Sequence, residues 1–220
     1  MVLTIFSYPM GDYMKKYLIF MVIALATAFP FAASAQSNNS FGNFYGVVEA
    51  GITKNSFTAS GTFNNLITDN RSGEAFGASL GYRYFYGESL VLGIEGNFAT
   101  SGGSSFSQDS TSTLLVETDY VYGGYFTLGG RFGQNKNTFI YGLVGFAGTS
   151  IDETATFVGS TNVTTTSENG TGFSFGGAVE TGITDNLGVR VKGLYNMYKQ
   201  GASGTKIRDV SIMAGLVFNF

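Results

Sequence analysis

Seven ionisable residues recur at strand spacing among glycines and serines: Glu49, Arg83, Glu95, Arg131, Glu180, Arg190 and Lys192. Three are acidic and four basic, so in a confined space they could neutralise one another. A second set is acidic only. Glu117 and Asp119 lie two positions apart, which puts both carboxylates on one face of a strand. Such a pair could do acid–base work or hold a cation, but no phased partner accompanies it, and a wet rim is the simpler reading. Asp152, Glu153 and Glu168 raise the question of Ca²⁺ in the same way, and their spacing matches no calcium loop. Asn162-Val163-Thr164 and Asn169-Gly170-Thr171 fit the glycosylation acceptor pattern, as chance matches do in a Thr-rich stretch.

What the chain lacks narrows the chemistry further. It has no His, which removes the usual general base and the commonest metal ligand. It has no Cys, which removes thiolate chemistry, disulfides and a lipid-anchored N-terminal Cys. The glycines recur at strand spacing and not ahead of a helix, so no phosphate-cradling loop is present. The sequence therefore supports no catalytic, cofactor-binding or metal-binding assignment, and the expectation is a non-enzyme. A net charge of −3 gives no electrostatic reason to expect a nucleic-acid partner.

The elements that must position these residues are strands. The 220 residues include 32 Gly, 21 Phe and 13 Tyr but only 2 Pro, and 12% are charged, a composition that suits an all-β chain with tight bends. In "EAFGASLGYRYF", Phe76, Ala78, Leu80, Tyr82 and Tyr84 fall on one face and Gly77, Ser79, Gly81 and Arg83 on the other. The same alternation sets Leu90, Leu92, Ile94 and Phe98 against Glu95 and Asn97. It sets Tyr120, Tyr122, Phe126, Leu128 and Phe132 against Tyr125, Thr127 and Arg131. It sets Leu187, Val189, Val191, Tyr195 and Met197 against Arg190, Lys192 and Asn196. Between Thr138 and Ala147 both parities are apolar, and no face can be assigned.

Eight strands are expected, near 43–53, 74–85, 89–99, 115–132, 138–149, 172–184, 187–199 and 207–220. Short connections alternate with mostly long ones (54–73, 100–114, 150–171, 200–206), so the short turns all lie at one end of an up-and-down antiparallel sheet. The charged face is too sparsely charged for a solvent surface, whereas an eight-stranded barrel interior is just wide enough for side chains to fill. The other face carries aromatics near both strand ends. Tyr82, Tyr84, Phe132, Phe218 and Phe220 lie at the turn end; Phe98, Tyr120, Tyr122, Phe173 and Tyr195 lie toward the loop end. Two aromatic belts around an aliphatic middle predict a transmembrane β-barrel with lipid outside and charge inside.

The two ends of the chain agree with export to a membrane. Residues 1–13 precede a good start at Met14 and read as a mis-assigned extension. Residues 14–35 have a secretory signal layout: Lys15 and Lys16, an apolar run, Pro30, then Ala33-Ser34-Ala35. The rival, an uncleaved anchor, is disfavoured by the proline and the small triplet. Residues 36–220 are expected to be the barrel domain. At the C-terminus, Ile212, Ala214, Leu216, Phe218 and Phe220 form an outward stripe reaching the last residue. A barrel in lipid can leave no strand edge, so this strand must pair with the first.

The stretches "FYGVVEAGITKNSF", "GASLGYRY" and "GLVFNF" resemble the small eight-stranded outer-membrane barrel family, comprising OmpA-like, Opa-like and Omp25-type proteins. The resemblance implies a Gram-negative outer membrane and a C-terminal stripe that is read by the outer-membrane assembly machinery. It also implies variable surface loops serving envelope integrity, adhesion or surface interaction. Expected partners are outer-membrane lipids and lipopolysaccharide, with a host or cell-surface ligand at the loops. The belts depart from the family in having no Trp. The barrel enzymes that share this architecture rely on a histidine. A small diffusion pore remains the alternative function, motivated by the glycine-rich interior and opposed by the charge cluster within it.

Overall fold

The computed structural model describes residues 43–58, 67–102, 104–108, 112–133, 136–157, 163–200 and 206–220. The expected extension 1–13 and signal 14–35 lie outside the described residues, as does Asn162. The described chain contains nine strands: β1 (Phe44–Thr58), β2 (Ile67–Tyr86), β3 (Leu90–Ser101), β4 (Ser104–Gln108), β5 (Ser112–Phe132), β6 (Thr138–Phe157), β7 (Val163–Gly182), β8 (Leu187–Gln200) and β9 (Lys206–Asn219). Both β3 and β4 pair with β2 on one side and β5 on the other, so together they make one stave interrupted at Gly102. All neighbours are antiparallel. β1 pairs with β2 and also with β9, from Tyr45↔Asn219 to Thr58↔Lys206, and the sheet closes into an eight-stave barrel.

The alternation in the sequence is what this closure exploits. Outward positions are apolar and exposed, including Phe126 at 71% and Phe146 at 74% of their full accessibility. Many inward positions are polar and buried, with Arg83 on β2 at 1% and Glu180 on β7 at 0%. Soluble monomers rarely expose large contiguous apolar patches; here such residues surround the barrel, as lipid contact requires. Tight turns close the end at which β2 meets β3, β5 meets β6 and β7 meets β8. Gly87 opens the first of them at a φ of +63°, where a Cβ would be strained.

The strands run further than their sequence suggests. Much of the expected loops 54–73, 100–114 and 150–171 is paired strand, and β5 extends over 21 residues. A tilted strand crosses the hydrocarbon in about 9–11 residues. About half of β5 therefore stands beyond the bilayer, beside the matching extensions of β2, β6 and β7. These Ser/Thr-rich segments pair through their backbones, and their sequences lack the period-two contrast of a strand with one apolar face. The undefined faces of 138–149 are resolved as well. Phe139, Tyr141, Leu143 and Ala147 point inward and are buried, while Ile140, Val144 and Phe146 point outward.

Candidate functional site

Five staves contribute charge to one layer in the lumen. Arg83 of β2 reaches Glu180 of β7 through two parallel bonds, Nη1 to Oε1 at 3.0 Å and Nη2 to Oε2 at 2.6 Å. Its guanidinium also lies 3.7 Å from the Tyr45 ring centroid and 5.3 Å from that of Phe139. This explains why β6 turns aromatics inward. Arg190 and Lys192 of β8 share Glu49 of β1 and Glu95 of β3. Arg190 donates to Glu95 at 2.6 Å and to Glu49 at 2.7 Å; Lys192 donates to Glu49 at 2.6 Å and lies 3.3 Å from Glu95. Ser79, Tyr45 and Tyr141 complete the network, with the Tyr45 hydroxyl donating to Glu95 at 2.7 Å. Three cations meet three anions across the barrel, so the layer is neutral as well as dry.

Six of the seven charges singled out from the sequence meet in that layer. Arg131, the seventh, is buried nearer the turn end, donates to the Glu88 carbonyl at 2.7 Å and lies 4.8 Å from the Phe85 ring centroid. A second polar layer, toward the loop end, escaped the sequence reading. Asp209 is 3% exposed and accepts from Thr53 and, at 2.6 Å, from Asn196, which in turn accepts from Ser174. Asn55 donates to Thr118 at 2.7 Å across the lumen. The signal was there: Arg208 and Val210 flank Asp209, and the outward parity of Val210 turns Asp209 inward.

The acidic candidates lie above the upper aromatic belt. Glu117 is the cross-strand partner of Asp152, and a bulge between Thr118 and Tyr120 displaces Asp119 from register. Burial raises the Asp119 carboxyl above its ordinary range, and the neighbouring Asp152 carboxylate raises it further. Asp152 accepts from Ser167 at 2.6 Å. Among the described residues no group of three or more acidic side chains is arranged to hold a metal; the Glu153 and Glu168 side chains lie outside that description. Asn169 sits in β7, paired with Ser150.

The C-terminal stripe is outward: Ile212, Ala214, Leu216, Phe218 and Phe220 are all exposed. The last residue is held by its backbone, Phe220 N–H donating to the Phe44 carbonyl at 2.9 Å.

Closed barrel, lipid-facing exterior and charged lumen define an integral outer-membrane barrel. The family model for the outer membrane protein beta-barrel domain matches residues 21–220, and the chain belongs to that family. Its place is the outer membrane. OprG from Pseudomonas aeruginosa shares the fold at a TM-score of 0.55 and 12% identity, over 84% of this chain and 99% of that one. Ail, the attachment invasion locus protein of Yersinia pestis, gives a TM-score of 0.43 at 16% identity, over 79% and 98%. Neisserial surface protein A gives 0.43 at 16%, over 81% and 97%. No curated protein sequence matches the chain.

Proposed function

We propose that this protein is a closed, non-catalytic barrel that anchors a surface-exposed β-sheet in the outer membrane, serving envelope integrity, adhesion or surface interaction. The observation that carries the reading is the neutral ion-pair layer across the lumen. Arg83, Arg190 and Lys192 reach Glu49, Glu95 and Glu180 with bonds as short as 2.6 Å, leaving no wide path for solutes. The paired extensions of β2, β4, β5, β6 and β7 supply the surface. They present polar backbone and acidic side chains, a scaffold for contacts with a host or neighbouring cell. The absence of histidine from the chain supports a binding rather than a catalytic role. The outward stripe ending at Phe220 is the segment that the assembly machinery would read.

Two measurements test this. Single-channel recording in planar bilayers is expected to find no stable open state; a steady conductance from the purified barrel would make it a small diffusion pore. Shortening the hairpins at the tips of β4–β5 and β6–β7 is expected to reduce surface binding by whole cells, with the barrel still inserted. Binding untouched by both deletions would remove the adhesive role.

A further inference from the structure

The outer wall formed by β1, β9 and β8 carries four cations at its loop end. Lys54, Lys199, Lys206 and Arg208 are exposed and share the outward parity of Ile52, Met197 and Val210. Lys199 and Lys206 are direct cross-strand partners. Arg208 is opposite Met197 on one side and Ser56 on the other, and Lys54 is opposite Val210. The four charges therefore crowd a few adjacent rungs of three neighbouring strands. Like charges directly opposite one another on a sheet repel. Among the described residues none of the four makes an ion pair, and Glu74, the outward carboxylate opposite Ile52, pairs with none of them. Such a cluster is relieved when an anion sits on it.

Height selects the anion. On the same strands the outward residues toward the membrane middle are Ile52, Val191, Val210 and Ile212, all exposed and apolar. The cations lie immediately beyond this band, at the level where lipid headgroups begin. Their aliphatic stems can rest on the band while the charged ends reach up. We propose that Lys54, Lys199, Lys206 and Arg208 form a docking site for the phosphate groups of anionic lipid in the outer leaflet. The lipid chains run down the apolar face of β8, β9 and β1. The guanidinium of Arg208 suits bidentate capture of a phosphate, and the lysines add point charge around it. Glu74 on β2 is the outward carboxylate beside this wall, and the acidic group of Glu117, Asp119 and Asp152 stands away from it on β5 and β6. The inference rests on the outer-membrane placement and is independent of whether the barrel conducts.

The test uses the mature barrel refolded in zwitterionic detergent and titrated with bisphosphorylated lipid A, with binding read by native mass spectrometry. Each cation near an anionic membrane surface is worth about fivefold in affinity, so Lys199→Gln/Lys206→Gln should bind about 25-fold more weakly. Without lipid the same variant should unfold at the wild-type temperature or above it, because a repulsion has been removed. Should it not refold, Lys54→Gln/Arg208→Gln carries the same expectation. Lipid A stripped of both phosphates should bind weakly to wild type, and inorganic phosphate should not compete at matched concentration. Wild-type affinity in the refolded variants overturns the proposal. So does equal binding of dephosphorylated lipid A, which would leave only an apolar contact, or capture of inorganic phosphate as tightly as lipid. A heat-dependent gel shift on the same samples reports barrel closure separately, so loss of the barrel is not mistaken for loss of the site.

Discussion

The Arg83–Glu180 pair concentrates the energetics of the lumen in two side chains, 1% and 0% exposed. Burying a charge is costly, and the cost is offset only when partner and geometry are both in place. Removing one partner leaves the other stranded, so Arg83→Met should lower stability by about 3–5 kcal/mol, read as a reduced urea midpoint of the refolded barrel. Arg83→Met combined with Glu180→Leu should recover most of that loss, since no charge is then left unpaired. A double variant as unstable as the single one would mean that packing, not charge, dominates the site. On the acidic rim the sign is opposite. The Asp119 carboxyl is raised by burial and by Asp152, so folding takes up a proton there. Stability of the β5–β6 extension is then greatest in acid and falls as pH rises through the raised value. Hydrogen-exchange protection factors for 112–118 should be higher near pH 4 than at pH 7, and Asp119→Asn should flatten the difference. Most of the charged layer was legible because each charge sits at the parity of small residues while its neighbours are bulky. Who pairs with whom was not legible, because Arg83 and Glu180 are brought together by closure across the lumen from positions 97 apart in sequence.

At the scale of the strand, glycine positions record how tightly a small barrel must curve. A Cβ on Gly145 would lie 1.9 Å from the Gly124 carbonyl oxygen of the neighbouring strand, whereas one on the outward Gly124 would meet nothing within 4 Å. Gly145→Ala should therefore destabilise by about 1–3 kcal/mol, as overpacked sites do. Gly124→Ala should stay within about 0.5 kcal/mol. Thermal unfolding of the two variants makes the comparison, and equal effects would argue against the inward placement of Gly145. The terminal strand gives a second contrast. Phe220→Ala leaves the lumen untouched, so refolding in detergent should proceed as in wild type while assembly in cells falls; normal insertion in cells would remove the signal role of the stripe. Alternation makes β2, β3, β8 and β9 readable from the sequence alone. It failed on β6 because the lumen there needs aromatic surface beside Arg83, so Phe139 and Tyr141 point inward with no polar marker. It also failed above the membrane, where Ser/Thr-rich segments carry no apolar/polar alternation while Thr and Val still favour extended backbone.

At the scale of the molecule, one arrangement accounts for the exposed apolar exterior, the neutral buried charge layer and the strand that is ordered to its last residue. In the bilayer each backbone N–H and C=O must be paired within the protein, and an eight-stave closed sheet does this while leaving a lumen narrow enough for ion pairs to fill. Water on the outside would reverse the preference of every stave at once, since the same alternation would then present its apolar side to solvent. The chain contains no native Trp, so a single introduced Trp reports its own position without background. The most direct measurement is quenching of such residues by bromine-labelled acyl chains in reconstituted vesicles, with Ile94→Trp and Leu128→Trp on the outward face and Tyr125→Trp on the inward one. Strong quenching at 94 and 128 with little at 125 is the expected result. Strong quenching at 125 with none at 94 and 128 would contradict the inside-out barrel.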